Sequence, residues 1–203
     1  MVRVKICGIT NLEDAQAATS FGADALGFIF APSPRRISPK EAKEIIKKLG
    51  PWVTAVGVFV NESAHIVHRV ASECGLGAVQ LHGDENVSTL RALSSRTVIK
   101  TLHVDENFDW KKIKNSPAHA FLFDTRLAGR WGGTGARFDW ELLKARSLDK
   151  PFIVSGGLNP GNVISAIREL SPYGVDVASG VESSPGKKDK KLLKRFIQNA
   201  KKN

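Results

Sequence analysis

Short β-branched or apolar runs alternate with longer stretches of helical periodicity along the whole chain. The runs cover residues 2–7, 24–30, 53–60, 78–82, 98–102, 120–124, 152–155 and 175–178. Between them, segments such as 39–49 and 160–170 repeat apolar residues at the helical period. Helix-start signals stand where they should: Asn11 before Leu12-Glu13-Asp14, Ser38-Pro39 with Glu41, and Asn159-Pro160. Eight strand–helix units in this order predict a parallel sheet, and eight can close on themselves. The expected architecture is therefore α/β, a single-domain (β/α)8 TIM barrel over residues 1–203, near the minimum size for that fold. An open doubly wound sheet is the competing arrangement.

Parity within the strands separates two faces. Arg3, Lys5 and Cys7 share one side of the first run, and Val2, Val4 and Ile6 share the other. Helices packed outside a barrel need the aliphatic side, so the polar side points inward. The same split groups Gln80 with His82, Leu122 with Asp124, and Asp176 with Ala178. Polar residues thus collect on inward faces toward the carboxyl ends of strands, where barrel enzymes place their chemistry. Lys5 and Asp176 fit a buried structural pair as well as they fit a site.

Composition narrows the class without naming it. The chain has 203 residues, 42% hydrophobic and 25% charged, with 18 Gly and 9 Pro, which excludes disordered and collagenous readings. No apolar run approaches the ~18 residues of a membrane helix, and the N-terminus lacks a signal-peptide pattern. Two cysteines, Cys7 and Cys74, make neither a disulfide framework nor a zinc site. A cytoplasmic protein without membrane contact is expected. His65 and His68 stand three apart with no third metal ligand, so no metal site is expected.

The net charge of +10 raises nucleic acid as a partner, but it is concentrated. Residues 187–203 hold eight basic residues against Asp189 alone. Leu192, Leu193, Phe196, Ile197 and Ala200 recur there at helical spacing, which puts the basic side chains on the opposite, solvated face. No nucleic-acid binding is expected. An RNA module acting through this helix is the alternative from another functional class.

The loops after the last two strands carry the clearest chemical signal. Ser155-Gly156-Gly157-Leu158 follows the seventh run, and Ala178-Ser179-Gly180-Val181-Glu182 follows the eighth. Glycines let backbone N–H groups approach an anion, and a short helix start would add its dipole. Gly156, Gly157, Ser179 and Gly180 are the expected phosphate cradle, and the substrate a small phosphate monoester.

Taken in order, several motifs become specific together. They are Lys5-Ile6-Cys7-Gly8-Ile9-Thr10, Gly57-Val58-Phe59-Val60-Asn61, Gln80-Leu81-His82-Gly83 and Phe123-Asp124-Thr125. Gly132-Gly133-Thr134-Gly135 and Phe138-Asp139-Trp140 follow, then Ser155 to Pro160 and Val175 to Glu182. This set resembles the phosphoribosylanthranilate isomerases of tryptophan biosynthesis, from the first strand to Pro185-Gly186-Lys187-Lys188-Asp189. The resemblance implies a barrel that performs an Amadori rearrangement of N-(5-phosphoribosyl)anthranilate with no cofactor and no metal, as a monomer or homodimer. It implies a general base at Cys7 and a general acid at Asp124, with Arg35, in Ser33-Pro34-Arg35-Arg36, on the anthranilate carboxylate and Arg36 as the other candidate for that contact. Gln80, His82 and Asp176 are the further candidate substrate contacts.

Read alone, Cys7 is a small buried hydrophobe and Asp124 a strand-end turn residue. The resemblance gives both a chemical role. Cys7 then needs a cation to hold a thiolate, for which Lys5 is the candidate, and Asp124 needs burial to stay protonated. Residues 126–137, rich in glycine, are the expected lid. Related phosphate-binding barrels compete less well. Indole-glycerol-phosphate synthases are expected to use lysine and glutamate. A ribonucleotide aminoaldose isomerase is expected to carry an acid on its first strand, where this chain has Cys7.

Overall fold

The computed structural model describes residues 1–104, 107–124, 140–144 and 148–202. Eight parallel strands close into a barrel in sequence order. They are β1 (Arg3–Cys7), β2 (Ala25–Ile29), β3 (Thr54–Phe59), β4 (Ala78–Leu81), β5 (Thr97–His103), β6 (Ala120–Asp124), β7 (Phe152–Ser155) and β8 (Gly174–Val177). Pairing of β1 with β8, from Arg3 opposite Gly174 to Ile6 opposite Val177, completes the ring. The closed ring settles the choice against an open sheet. No helix among the described residues is long and apolar enough to cross a membrane.

Helices α1 (Leu12–Ser20), α2 (Pro39–Ile46), α3 (Ala64–Cys74), α4 (Val87–Ala92), α5 (Lys111–Lys114), α6 (Glu141–Lys144) and α7 (Val163–Leu170) follow successive strands. Their starts follow local chemistry. Asn11 accepts from the Asp14 N–H, and Ser38 forms a capping box with Glu41 ahead of Pro39. α2 is shorter than its apolar period suggests. Past Ile46 the chain tightens into turns, with Leu49 N–H donating to the Ile46 carbonyl before Gly50-Pro51.

Asn159-Pro160 does not cap α7 as its sequence suggests. The Asn159 side chain accepts from Gly161 N–H and its carbonyl from Asn162 and Val163, a turn that delays the helix to Val163.

Strand parity comes out as the pattern requires. Val56, Ala78, Ile99, Leu122 and Ile153 form a compact apolar plug inside the lower barrel. The larger core lies between sheet and helices and includes Val4, Ile6, Leu26, Phe28, Phe121 and Phe123. Above the plug, the inward positions include Lys5, Gln80, Thr101, Asp124, Ser155 and Asp176, so the polar site is built on rigid strand ends.

After β8 come a single tight turn at Ser179–Val181, a hairpin of β9 (Glu182–Ser184) and β10 (Lys187–Lys188), and α8 (Lys190–Lys201). Asp189 caps α8 by accepting from the N–H groups of Lys191 and Leu192. Leu193, Phe196, Ile197 and Ala200 are buried, while Leu192 is partly exposed. Lys188 departs from the expected solvated face. It precedes the cap, lies on the hairpin rather than the helix, and is buried.

Candidate active site

Cys7 ends β1 and is buried, with its register partner Gly27 on β2. A Cβ at Gly27 would lie 2.7 Å from the Cys7 Sγ, so the glycine makes the space the thiol occupies. One layer below, the Lys5 ammonium donates to Asp176 Oδ1 at 2.9 Å, and both side chains are about 95% buried. Ser155 Oγ donates to the other carboxylate oxygen at 3.2 Å. This side of the mouth therefore holds a buried ion pair beneath the thiol.

Burial is the largest influence on the Cys7 thiol and pushes its pKa up, and Asp176 adds to this. The ammoniums of Lys5 and Lys188 oppose it without overturning it. For Lys5, burial pulls the pKa down, but Asp176 and Cys7 outweigh that and leave it raised. Lys5 thus stays charged beside a thiol that rests protonated. Its proximity alone does not make a resting thiolate.

Across the mouth, Asp124 ends β6, opposite Ser155 in register and partly exposed. His82 Nε2 lies 3.2 Å from Asp124 Oδ2. Gln80 Nε2 donates to Thr101 Oγ1 at 3.1 Å and points at His82 Nδ1, also 3.1 Å away. Both ring nitrogens of His82 are thus engaged, Nδ1 by Gln80 and Nε2 by Asp124. Gln80 is buried, and its Oε1 has no hydrogen-bond partner among the described residues. His103 packs against His82, with ring centres 5.6 Å apart.

The loop walls above these strands are tied down. The Lys100 ammonium donates to the Gly83 carbonyl and to Glu85 Oε2 at 2.8 Å. Glu85 in turn accepts from the N–H groups of Asn61 and Gly83. The ends of β3 and β4 are thereby joined beside His82.

Glycine is required where the last two loops meet. Gly156 and Gly157 adopt left-handed φ values of 82° and 65°. A Cβ on Gly180 would fall 1.9 Å from the Leu158 carbonyl oxygen. Only two bare backbones pack this closely. Gly156, Gly157, Ser179 and Gly180 thus come together as one backbone-lined corner.

Beside this corner, above β1, Arg35 grips Glu182. Its Nε lies 2.9 and 3.0 Å from the two carboxylate oxygens, and Nη2 lies 2.7 Å from Oε2. Arg36 is exposed. Glu182 also pairs with the Lys188 ammonium at 2.9 Å, which donates to the backbone carbonyls of Cys7 at 2.6 Å and Ala178 at 3.2 Å.

The family model of N-(5'-phosphoribosyl)anthranilate (PRA) isomerase matches residues 4–199. The chain belongs to the PRA isomerase family. A relative in that family, the N-(5'-phosphoribosyl)anthranilate isomerase of Thermotoga neapolitana, is 49% identical over 204 aligned residues, covering 99% of each chain. The crystal structure of the Thermotoga maritima phosphoribosyl anthranilate isomerase superposes with a TM-score of 0.93 at 46% identity, covering both chains fully. Another isomerase structure, in complex with reduced 1-(o-carboxyphenylamino)-1-deoxyribulose 5-phosphate, superposes at 0.88 and 45% identity, again over both whole chains.

Within this PRA isomerase barrel, Cys7, Gln80, His82, Asp124 and Asp176 all occupy inward positions at carboxyl ends of strands or just beyond. Arg35 reaches the same mouth from the loop after β2, pinned where the Ile37 N–H donates to the Ile29 carbonyl. The expected lid, residues 126–137, lies outside the described residues, as do Thr125 and Asp139. His65 is exposed and His68 is engaged by Arg96. Among the described residues no group of three or more His, Cys, Asp or Glu side chains is placed to hold a metal.

Parity reading misses Thr101, Glu182 and Lys188. Glu182 and Lys188 flank the Pro185-Gly186 turn. That spacing is the signal that could have placed them on a hairpin instead of a helix.

Proposed function

We propose that this chain converts N-(5-phosphoribosyl)anthranilate to 1-(2-carboxyphenylamino)-1-deoxyribulose 5-phosphate, a step of tryptophan biosynthesis. One observation carries the reading: a buried thiol and a carboxyl end strands on opposite sides of a mouth whose rim bears a bare-backbone corner and an arginine. Phosphate at the corner and carboxylate at Arg35 would stretch the substrate across the opening, with its sugar between Cys7 and Asp124.

Asp124 is the general acid. It protonates the ribose ring oxygen while the anthranilate nitrogen lone pair forms a C1=N bond and the C1–O bond breaks. Cys7, in its thiolate form, then takes the C2 proton, and the released electron pair forms the C1=C2 bond as the C1=N π pair returns to the anthranilate nitrogen, giving an enolamine. The 2-hydroxyl proton passes to the Asp124 carboxylate and the Cys7 thiol returns its proton to C1, which completes the ketone and restores both groups. Atoms and charge balance, and the acid and base each contribute on the scale of ~10²–10⁴-fold.

The remaining assignments follow burial. His82, about one-fifth exposed beside Asp124, would meet the substrate from the mouth. Gln80 and Asp176 sit beneath, orienting His82 and Lys5 respectively. We place the protein in the cytoplasm, a reading supported by two free cysteines. Incubation of purified protein with N-(5-phosphoribosyl)anthranilate tests the function. Enzyme-dependent loss of anthranilate-type fluorescence is expected, and a trace no faster than the buffer blank would remove the assignment.

A further inference from the structure

Arg35 is held by residues far from it in sequence. Glu182, 147 positions away, fills its Nε–Nη2 edge with a bidentate pair. The Glu182 carboxylate is almost fully buried while Arg35 remains about one-fifth exposed, so the edge of the fork that meets Glu182 is sealed while part of the arginine reaches solvent. Behind Glu182, the Lys188 ammonium is wholly buried. Gly8, at φ 75°, lies flat under the arginine stem, where a Cβ would come within 2.6 Å of Arg35 Cδ. Ser33 Oγ accepts from the Arg35 N–H at 3.1 Å and fixes its backbone.

A guanidinium has two bidentate edges, and geometry decides which one a ligand meets. With Nε and one Nη2 hydrogen taken by Glu182, the end of the fork remains, made of Nη1 and the outer Nη2 hydrogen. Among the described residues, no acceptor is hydrogen-bonded to Nη1.

We propose that Glu182, anchored on Lys188, is a positioning residue that turns the Nη1–Nη2 end of Arg35 toward the aromatic carboxylate of the substrate. This inference rests on the function proposed above. Glu182 touches no reacting atom, so its contribution is to binding of the carboxylate-bearing end, similar in ground and transition states. Burial pushes the Glu182 carboxyl upward, but Arg35 and Lys188 overcome this and hold its pKa below the usual range, so it stays ionised at neutral pH.

The test measures binding and turnover separately. Reduced 1-(o-carboxyphenylamino)-1-deoxyribulose 5-phosphate and its counterpart lacking the ring carboxylate are titrated calorimetrically into wild type, Glu182→Gln, Arg35→Met and the double variant. Glu182→Gln is expected to weaken the carboxylate-bearing compound ~10- to 30-fold and the other by less than about threefold, a span set by hydrogen bonds to charged groups. In turnover, KM should rise by a similar factor while kcat changes by less than about fivefold. On the Arg35→Met background, adding Glu182→Gln should change affinity by less than about twofold.

Equal weakening of both compounds, or an undiminished effect without Arg35, would overturn the proposal and leave Glu182 a purely structural residue. Glu182→Asp keeps a charge opposite Lys188 and carries the same ratio test if Glu182→Gln does not fold, with an intermediate loss expected. Wild type that neither binds the first compound nor isomerises substrate would instead sink the proposed function itself.

Discussion

The two sides of the barrel mouth solve different electrostatic problems. Around β8 and β1, fixed charges are buried in pairs: Lys5 with Asp176 beneath Cys7, and Glu182 between Arg35 and Lys188 above it. Around β4 to β6, Gln80, Thr101 and His82 form a hydrogen-bonded chain leading to Asp124. A proton acceptor that must become anionic gains from nearby ammoniums. A donor is served instead by hydrogen bonds that fix where its carboxyl points. The division follows the roles proposed for Cys7 and Asp124, and each side is open to a separate challenge.

The largest expected effect is on turnover. Cys7→Ala and Asp124→Ala should each lower kcat by at least ~10², while affinity for the reduced product analogue stays within about threefold. Steady-state kinetics with calorimetry checks both. Near-normal turnover in either folded variant would remove that residue from the chemistry and dissolve the contrast.

Next comes the stability of the charged side. Asp176→Leu strands a buried Lys5 ammonium and should cost about 3–5 kcal/mol. Adding Lys5→Met should return most of that loss, because an apolar pair of similar volume replaces the stranded charge. Urea unfolding of the two variants decides it. A cost below about 1 kcal/mol for the single change would mean that this pair is not buried as described.

The resting thiol gives a smaller, spectroscopic effect. With its pKa raised by burial, Cys7 should show less thiolate absorbance at pH 8.5 than a free thiol of ordinary pKa ~8.5. The sign follows linkage. A raised folded-state pKa stabilises the protein fully below the ordinary thiol value, and this contribution fades as pH rises through the raised one. The difference spectrum between wild type and Cys7→Ser across pH isolates the signal from Cys74. A thiolate already formed at pH 7 would show that Lys5 and Lys188 outweigh burial.

Least is expected from the basic face of α8. Lys191 and Lys194 are exposed, and Lys191→Glu/Lys194→Glu should leave kcat unchanged. Any rise in KM should vanish at 0.15 M salt, where screening limits the field to ~8 Å. Kinetics at two ionic strengths would reveal a salt-independent loss, which would tie this helix to the site.

Legibility in the sequence divides along similar lines. All eight strands follow from apolar runs, and the alternation of Lys5 and Cys7 with Val4 and Ile6 is enough to turn the polar residues inward, because strand period is rigid. Helix ends set by a single side chain, such as Ser38 with Glu41, are equally readable. Asn159-Pro160 shows the limit, since the same dipeptide serves a cap and a turn. Arg35, Glu182 and Lys188 show another. Their union depends on ring closure bringing β8 beside β1, and on a hairpin lifting Lys188 away from an otherwise basic helix. Local pattern carries neither fact. The Cys7 environment is a third case: a neighbouring lysine is visible in the sequence, but the desolvation that outweighs it is a property of the closed barrel.

The central claim is that the two sides perform two separable proton transfers, ring opening at Asp124 and C2 deprotonation at Cys7. Borohydride trapping tests this most directly, by reducing any open-chain Schiff base during incubation of each variant with substrate. Cys7→Ala should accumulate a reducible open-chain adduct that retains its C2 hydrogen, and Asp124→Ala should trap no more than the enzyme-free blank. Accumulation in Asp124→Ala, or none in Cys7→Ala, would contradict the assignment of the two steps to the two sides.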